Sequence, residues 1–216
     1  MTTANTIIEK HSRFVNPSFI KLLGIYGYGR VFIRAQGVWL WDQQGRRYLD
    51  LLAAFGAVNL GHNHPKLITR IQEFFAREPL NLCHIGPAID MAELAEALAE
   101  QVDKPLEISL FSSSGSEAIE AGMKLARAAT GKEEFIYCQG GFHGTNLGTL
   151  SIMGSKRMRK PFEPLLPGCR AIPFGDLESL EQTLSTRHVA AFIVEPIQCE
   201  GGVVFPPDGY LCKAQH

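Results

Sequence analysis

The sequence lacks any uninterrupted run of about 18 uncharged apolar residues, the length a helix needs to cross a bilayer. Its first ten residues are polar and carry none of the apolar core of a secretion signal, so a cytoplasmic protein is expected. Net charge is nearly absent, −1 over 216 residues. That balance gives no electrostatic footprint for nucleic acid or for an anionic membrane surface, so neither is expected as a partner. Cysteines are few and odd in number. Cys83, Cys138, Cys169, Cys199 and Cys212 are scattered without paired ligand spacing, which argues for free thiols in a reducing compartment rather than a disulfide framework or a metal site. Internal repeats and low-complexity segments are missing too, and with 45% hydrophobic residues the chain can bury a core as one or two domains.

What is present is organised around Phe111-Ser112-Ser113-Ser114-Gly115-Ser116-Glu117-Ala118. The apolar run 108–111 reads as a short strand, and apolar residues then recur at helical spacing over 117–130, with Gly131 as a stop. A strand–turn–helix junction of this kind aims free backbone N–H groups and the positive end of the helix dipole at one point, where a phosphate can sit. An ordinary N-capped turn explains the same residues equally well, because serine caps helices in any case. The turn has neither the Gly-x-Gly-x-x-Gly spacing nor the Gly-Lys-Ser/Thr ending of nucleotide loops.

Four motifs in order carry a resemblance: Ser114-Gly115-Ser116-Glu117-Ala118, Lys124-Leu125-Ala126-Arg127, Gly141-Phe142-His143-Gly144 and Glu195-Pro196-Ile197-Gln198. From about Arg30 to the end, the chain resembles the class III (omega) aminotransferases, enzymes of fold type I. The resemblance implies a three-layer α/β large domain with a mostly parallel sheet, preceded by a β-meander of a minor domain. It implies pyridoxal 5'-phosphate as cofactor, a small-molecule amine or ω-amino acid and a keto acid as partners, and a homodimer when full length.

In chain order, residues 2–29 read as an irregular arm broken by Pro17 and by glycines at 24, 27 and 29. Residues 31–33 and 38–41 form an expected hairpin, with a turn at 42–45 before 48–51. The expected domains are 1–64, arm and meander, and 65–216, the first part of the cofactor-binding domain, incomplete at its C-terminus. His62 and His64 stand in a glycine- and proline-rich stretch, but no further ligand is at metal spacing, and Pro65 in a first helical turn is ordinary capping chemistry. A helix should run from Pro65 to about Arg77, followed by an irregular stretch over 81–88. Asp90 with Glu93 should cap a helix through Val102, with Leu94 and Leu98 in its core face. Continuous apolar strands at 135–138, 170–173 and 189–194, with a helix capped by Asp176 between the last two, indicate a parallel sheet covered on both faces. Lys156, Arg157, Arg159 and Lys160 read as a solvated surface face.

By resemblance, Gly115 and Ser116 supply backbone donors to the cofactor phosphate, and Phe142 stacks on its ring. His143 fits equally a structural histidine closing the glycine turn and one touching the cofactor. Glu195 follows an apolar strand, at the carboxyl end where open α/β sheets place their ligands. Glu200 matches a family glutamate that gates the substrate pocket by pairing with an arginine. Cys199 stands where the family usually has glycine, and Thr145-Asn146 replaces a commoner basic residue and threonine. The family's anchoring lysine and the aspartate for the ring nitrogen match no position here. The expectation is a transaminase represented by its N-terminal part, inactive alone; a non-catalytic chain that keeps the fold for binding or assembly is the alternative.

Overall fold

A computed structural model describes residues 4–80 and 85–215. Cys83 and the first half of the stretch 81–88 lie outside the described residues. The described chain forms two compact units, one ending at Ala88 and one beginning at Ile89, rather than dividing at 64/65. The helix Pro65–Ala76 groups with the first unit because the residues leading into it are tied to the meander by a bridge between Gly37 and His62.

The first unit opens with two helices, α1 (Ala4–Phe14) and α2 (Pro17–Ile25), where the glycine spacing suggested an irregular arm. The glycines act later than expected: Gly24 sits in the last turn of α2, and Gly27 takes a φ of +71° only after the helix has ended. Asn16 starts α2 by accepting the Phe19 N–H at 2.9 Å, with Pro17 in the first helical position. Strands β1 (Phe32–Gln36), β2 (Trp39–Asp42) and β3 (Arg47–Leu49) then form the antiparallel meander. Helix α3 (Pro65–Ala76) closes the unit.

Asp42 is the knot of this meander. Its side chain is fully buried. Its Oδ1 accepts the N–H groups of Gln44 (2.9 Å) and Arg46 (3.0 Å), and its Oδ2 accepts Arg46 Nε (2.8 Å) and the Tyr48 hydroxyl (2.8 Å). Burial alone would push the carboxyl up, but the donors from Tyr48 and Arg46 and the two backbone N–H groups more than offset it and hold the group at about 2.

In the second unit, α4 (Ile89–Ala99) has Asp90 inside its first turn rather than at the cap, and it ends before Val102. Leu94 and Leu98 are half-exposed instead of core, because this unit's two apolar clusters gather on the faces of its sheet. The run 108–111 is extended but pairs with no described strand, and Ile108 is 98% exposed. Helix α5 (Gly115–Thr130) leads through Gly131, at φ +66°, into β4 (Glu134–Cys138). Helix α6 (Leu147–Ser151) and the single turn α7 (Lys156–Arg159) precede β5 (Cys169–Ile172). Helix α8 (Leu177–Leu184) connects to β6 (Val189–Ile193), and α9 (Tyr210–Gln215) follows. The three strands are parallel in the order β5-β4-β6.

Alternation along β4 divides the core. Ile136 and Cys138 point to one face and pack with Ile172, Leu180 and Val189. Phe135 and Tyr137 point to the other and pack with Met123 of α5 and Ile152. The sheet is thus covered on both sides, as continuous apolar strands require. Arg159 is not solvated with the rest of its basic run: it is half-buried, and its Nη1 donates to the Tyr137 hydroxyl at 2.6 Å. Among the described residues, no helix is long and apolar enough to cross a membrane.

Asp42 supplies an acid test of the first unit. Its folded pKa is depressed, so the stability it contributes is fully present above about pH 4 and is lost as pH falls towards about 2. Trp39 and Trp41, the only tryptophans, both lie on β2 and report on this unit alone. Tryptophan emission should show an acid transition in that window. Asp42→Asn should lower the melting temperature at neutral pH and remove most of that pH dependence.

Candidate functional site

The second unit brings three segments together at the carboxyl ends of β4 and β6. Helix α5 runs back along the sheet, so its first turn arrives where β4 ends. Ser114 caps it: the Ser114 Oγ accepts the Glu117 N–H at 3.2 Å, and Glu117 Oε2 accepts the Ser113 N–H at 2.9 Å. The spacing Ser114-x-x-Glu117 is that of a capping box, and it was legible in the sequence. The first helical hydrogen bond runs from Ala118 N–H to Ser114 O at 3.0 Å. The N–H groups of Gly115 and Ser116 precede it and have no acceptor among the described residues.

Gly115 is exposed, and a Cβ built on it would meet no protein atom within 4 Å. Neither crowding nor a positive φ requires glycine there, and the space beside the free N–H groups is open. The Ser116 side chain has a role of its own beside the backbone donation expected of this residue. Its hydroxyl bonds to Thr149 Oγ1 at 2.8 Å and accepts the Asn146 N–H at 3.2 Å. Thr149 is fully buried and also donates to Asn146 O at 3.1 Å. Ser116 therefore locks the start of α5 to the start of α6 through its side chain, a link between residues 30 and more positions apart that no local motif marks. Asn146, noted as a departure from the family pattern, is half of that link.

The glycine turn lies against the same place. Gly144 has a φ of +122°, and a Cβ there would lie within 2.7 Å of the Ser116 Cβ. Both facts require glycine. On the other flank, Gly154 is pressed on the backbone of Gly140 and Gly141, and its N–H donates to Gly141 O at 2.7 Å. Phe142 is half-buried between these supports, and Glu195 Oε2 accepts its N–H at 2.9 Å. His143 is buried with Nε2 unpartnered, and burial lowers its pKa, so the ring is neutral.

Gln198 was read only as part of a motif, yet it is buried, and its Nε2 donates to Gln139 O at 2.9 Å. A two-way backbone bridge between Gln198 and Val204 closes the following loop, with Glu200 exposed within it. Cys199 has no positive φ, which is why a cysteine is accommodated where the family has glycine. The structure thus gathers Gly115, Ser116, Phe142, His143 and Glu195 near the carboxyl ends of β4 and β6 and leaves Glu200 on a neighbouring loop. In the first unit, His62 Nε2 bonds to Asp50 Oδ2 at 2.7 Å. Among the described residues, no three metal-ligating side chains cluster. A cleft of about 570 Å³ between α5 and α6 is lined by Glu120, Lys124, Arg127 and Leu147, and by none of the expected site residues.

Comparison with known proteins gives a consistent picture. A family model described as aminotransferase class-III matches residues 27–216. The aminotransferase PigE of a Serratia species is 40% identical over 209 residues, covering 96% of this chain and 24% of PigE. The ornithine aminotransferase of Toxoplasma gondii superposes with a TM-score of 0.85 at 28% identity, over 100% of this chain and 51% of that one. A second structure of that enzyme holds PLP at partial occupancy in its active site. An (S)-enantioselective omega-transaminase of Thermomicrobium roseum gives 0.84 at 30% identity, over 100% of this chain and 56% of that one. This chain therefore spans about half the length of the solved structures it matches, and its architecture is that of fold type I.

The Ser116 link predicts a stability effect. Ser116→Ala leaves the Asn146 N–H without its acceptor and costs Thr149 one partner, about 1–3 kcal/mol by urea denaturation. Ser112→Ala, on the exposed part of the same turn, should stay within about 0.5 kcal/mol.

Proposed function

We propose, from the premise that this chain belongs to the class III aminotransferases, that the edge built by α5, the 141–144 turn and Glu195 is its pyridoxal phosphate site. The reaction would pass an amino group between a small-molecule amine or ω-amino acid and a keto acid. The observation that carries this reading is the pair of free N–H groups at Gly115 and Ser116, opening onto space that no protein atom fills. A phosphate monoester suits them: it offers several acceptor oxygens, and its charge is favoured at the positive end of a sixteen-residue helix.

When bound, pyridoxal phosphate supplies an aldehyde that takes up amino groups and a ring that accepts electrons. This chain's residues bind and orient. Gly115 and Ser116 offer backbone donors, and Gly115 leaves room for the phosphate oxygens. Phe142 offers an aromatic face of fixed position, since its turn is held from both sides. His143, neutral and unpartnered at Nε2, can accept or donate one hydrogen bond at the site without adding charge. Glu200, on the exposed loop, is suited to meet a substrate group rather than the cofactor. A homodimer is the assembly that the resemblance implies.

We place the nucleophilic lysine and the partner of the ring nitrogen in the part of the relatives that this chain does not match. Lys124 and Lys213 are both exposed on helices, and a nucleophilic lysine needs a lowered pKa and fixed placement that such positions do not provide. Borohydride reduction with pyridoxal phosphate, followed by peptide mapping, should accordingly find no single lysine labelled stoichiometrically in this chain.

Binding tests the reading directly. In equilibrium dialysis against pyridoxal phosphate, Gly115→Val should weaken binding at least about tenfold, because a β-branched side chain fills the space the phosphate needs and stiffens the backbone. Lys124→Ala should leave the affinity unchanged. Equal affinities for wild type and Gly115→Val would place the phosphate elsewhere.

A further inference from the structure

We infer that Glu195 is a positioning residue, acting through the backbone of Phe142, rather than a ligand of the cofactor. The assignment follows from where β6 ends. Strands β4 and β6 are adjacent and parallel with Tyr137 opposite Ile193, so two residues further on Glu195 lies beside Gln139, at the base of the glycine turn. Its Oε2 crosses to the Phe142 N–H at 2.9 Å. Three residues later in the same segment, Gln198 Nε2 takes Gln139 O. The segment leaving β6 therefore grips the turn at two points, one on each side of Gly140 and Gly141, and only the Glu195 grip reaches the aromatic residue itself.

The surroundings of Gly141 show that this grip is built in and not incidental. A Cβ there would lie 3.1 Å from Cys138 O, 3.2 Å from His143 Nε2 and 3.4 Å from Glu195 Oε2. A side chain at 141 would crowd Cys138 O and His143 Nε2 and stand in contact with the carboxylate, so the turn is closely packed where Glu195 reaches it. Gly141 is itself buried, so the Phe142 N–H has little access to water as an alternative acceptor. Gln198 Oε1 fills the corresponding place over Gly140, where a Cβ would come within 2.8 Å of it. Both glycines are vacated for side chains arriving from the β6 segment. The Oε2 of the carboxylate is engaged by the main chain, and the ring of Phe142 is left free to present its face.

The statement about the aromatic face rests on the proposed cofactor site, whereas the grip itself does not, and two measurements separate them. Amide hydrogen exchange of this chain without cofactor reads the grip. The Phe142 amide should be protected in wild type and in Glu195→Gln, whose Oε1 still accepts, and should exchange at least about tenfold faster in Glu195→Ala, with Leu180 in α8 unchanged as the control for folding. Should the alanine variant fail to fold, Glu195→Asp takes its place: a carboxylate one methylene shorter falls short of the N–H and should lose the protection that glutamine keeps. Dialysis against pyridoxal phosphate reads the second part, with glutamine within about twofold of wild type and alanine or aspartate weaker. Protection of Phe142 that survives in alanine, or that is lost in glutamine as fully as in alanine, overturns the assignment. A chain that binds no pyridoxal phosphate in any form, with the exchange pattern intact, overturns the cofactor reading and leaves the grip standing.

Discussion

The contact between Ser116 and Gly144 is the constraint on which the rest of the site depends. A glycine with a φ of +122° lies directly on the first turn of α5, closer than any side chain would permit. That closeness joins two segments more than twenty residues apart in sequence and puts the free end of a helix beside a turn leaving the sheet. The Ser116 hydroxyl then extends the joint to Asn146 and Thr149, so α5 and the start of α6 share one oxygen. A site held in this way has little freedom to shift, and fixed geometry is what binding and orientation require of a scaffold. The polar groups at the joint are also mutually satisfied, which keeps the cost of burying the Thr149 hydroxyl low.

Much of the fold was legible because it follows from periodicity. Helix α5 repeats apolar residues at helical spacing and stops at Gly131; β4 and β6 are apolar throughout, and they sit between helices on a covered sheet. The meander was legible from its turns. The failures share a cause: they concern what lies next to a segment, which local pattern does not encode. The run 108–111 has the composition of a strand, but a strand exists only with a partner ladder. Leu94 and Leu98 have the spacing of core residues, but burial needs a facing surface. Asp42 reads as a turn residue, and only the fold shows four donors converging on it. The glycines before residue 30 were overweighted, since a glycine in the last turn of a helix costs little.

The site was legible in a more particular way. Its candidate residues came from the resemblance, carried by the motifs around Gly115, the 141–144 turn and Glu195, and the structure sets those three segments side by side. What could not be read was which of them make room for a ligand and which for the protein. Gly115 faces empty space, while Gly140, Gly141 and Gly144 face Gln198, Glu195 with His143, and Ser116. The letters are the same and the reasons differ. Ser116 adds a second function at one position, since its hydroxyl holds the structure while its N–H stays free.

This division bears on where specificity can reside. The groups that would hold the phosphate are backbone N–H donors, whose position is fixed by the helix and the joint beneath it, and no exposed side chain in that set can be exchanged to change the outcome. Glu200 is different: it is exposed, and its loop is closed by backbone bonds between Gln198 and Val204 that do not involve its side chain. A loop whose conformation is set by its ends tolerates substitution between them. The observed Cys199 is such a substitution, accepted without a positive φ. Room for substitution is confined to 199 and 200: a Cβ at Gly201 would lie 3.0 Å from Gly140 O and 3.2 Å from Gln198 Oε1, and Gly202 has a φ of +106°. In the proposed site, binding and discrimination would be neighbours in sequence, with the buried Gln198 between Glu195 and Glu200.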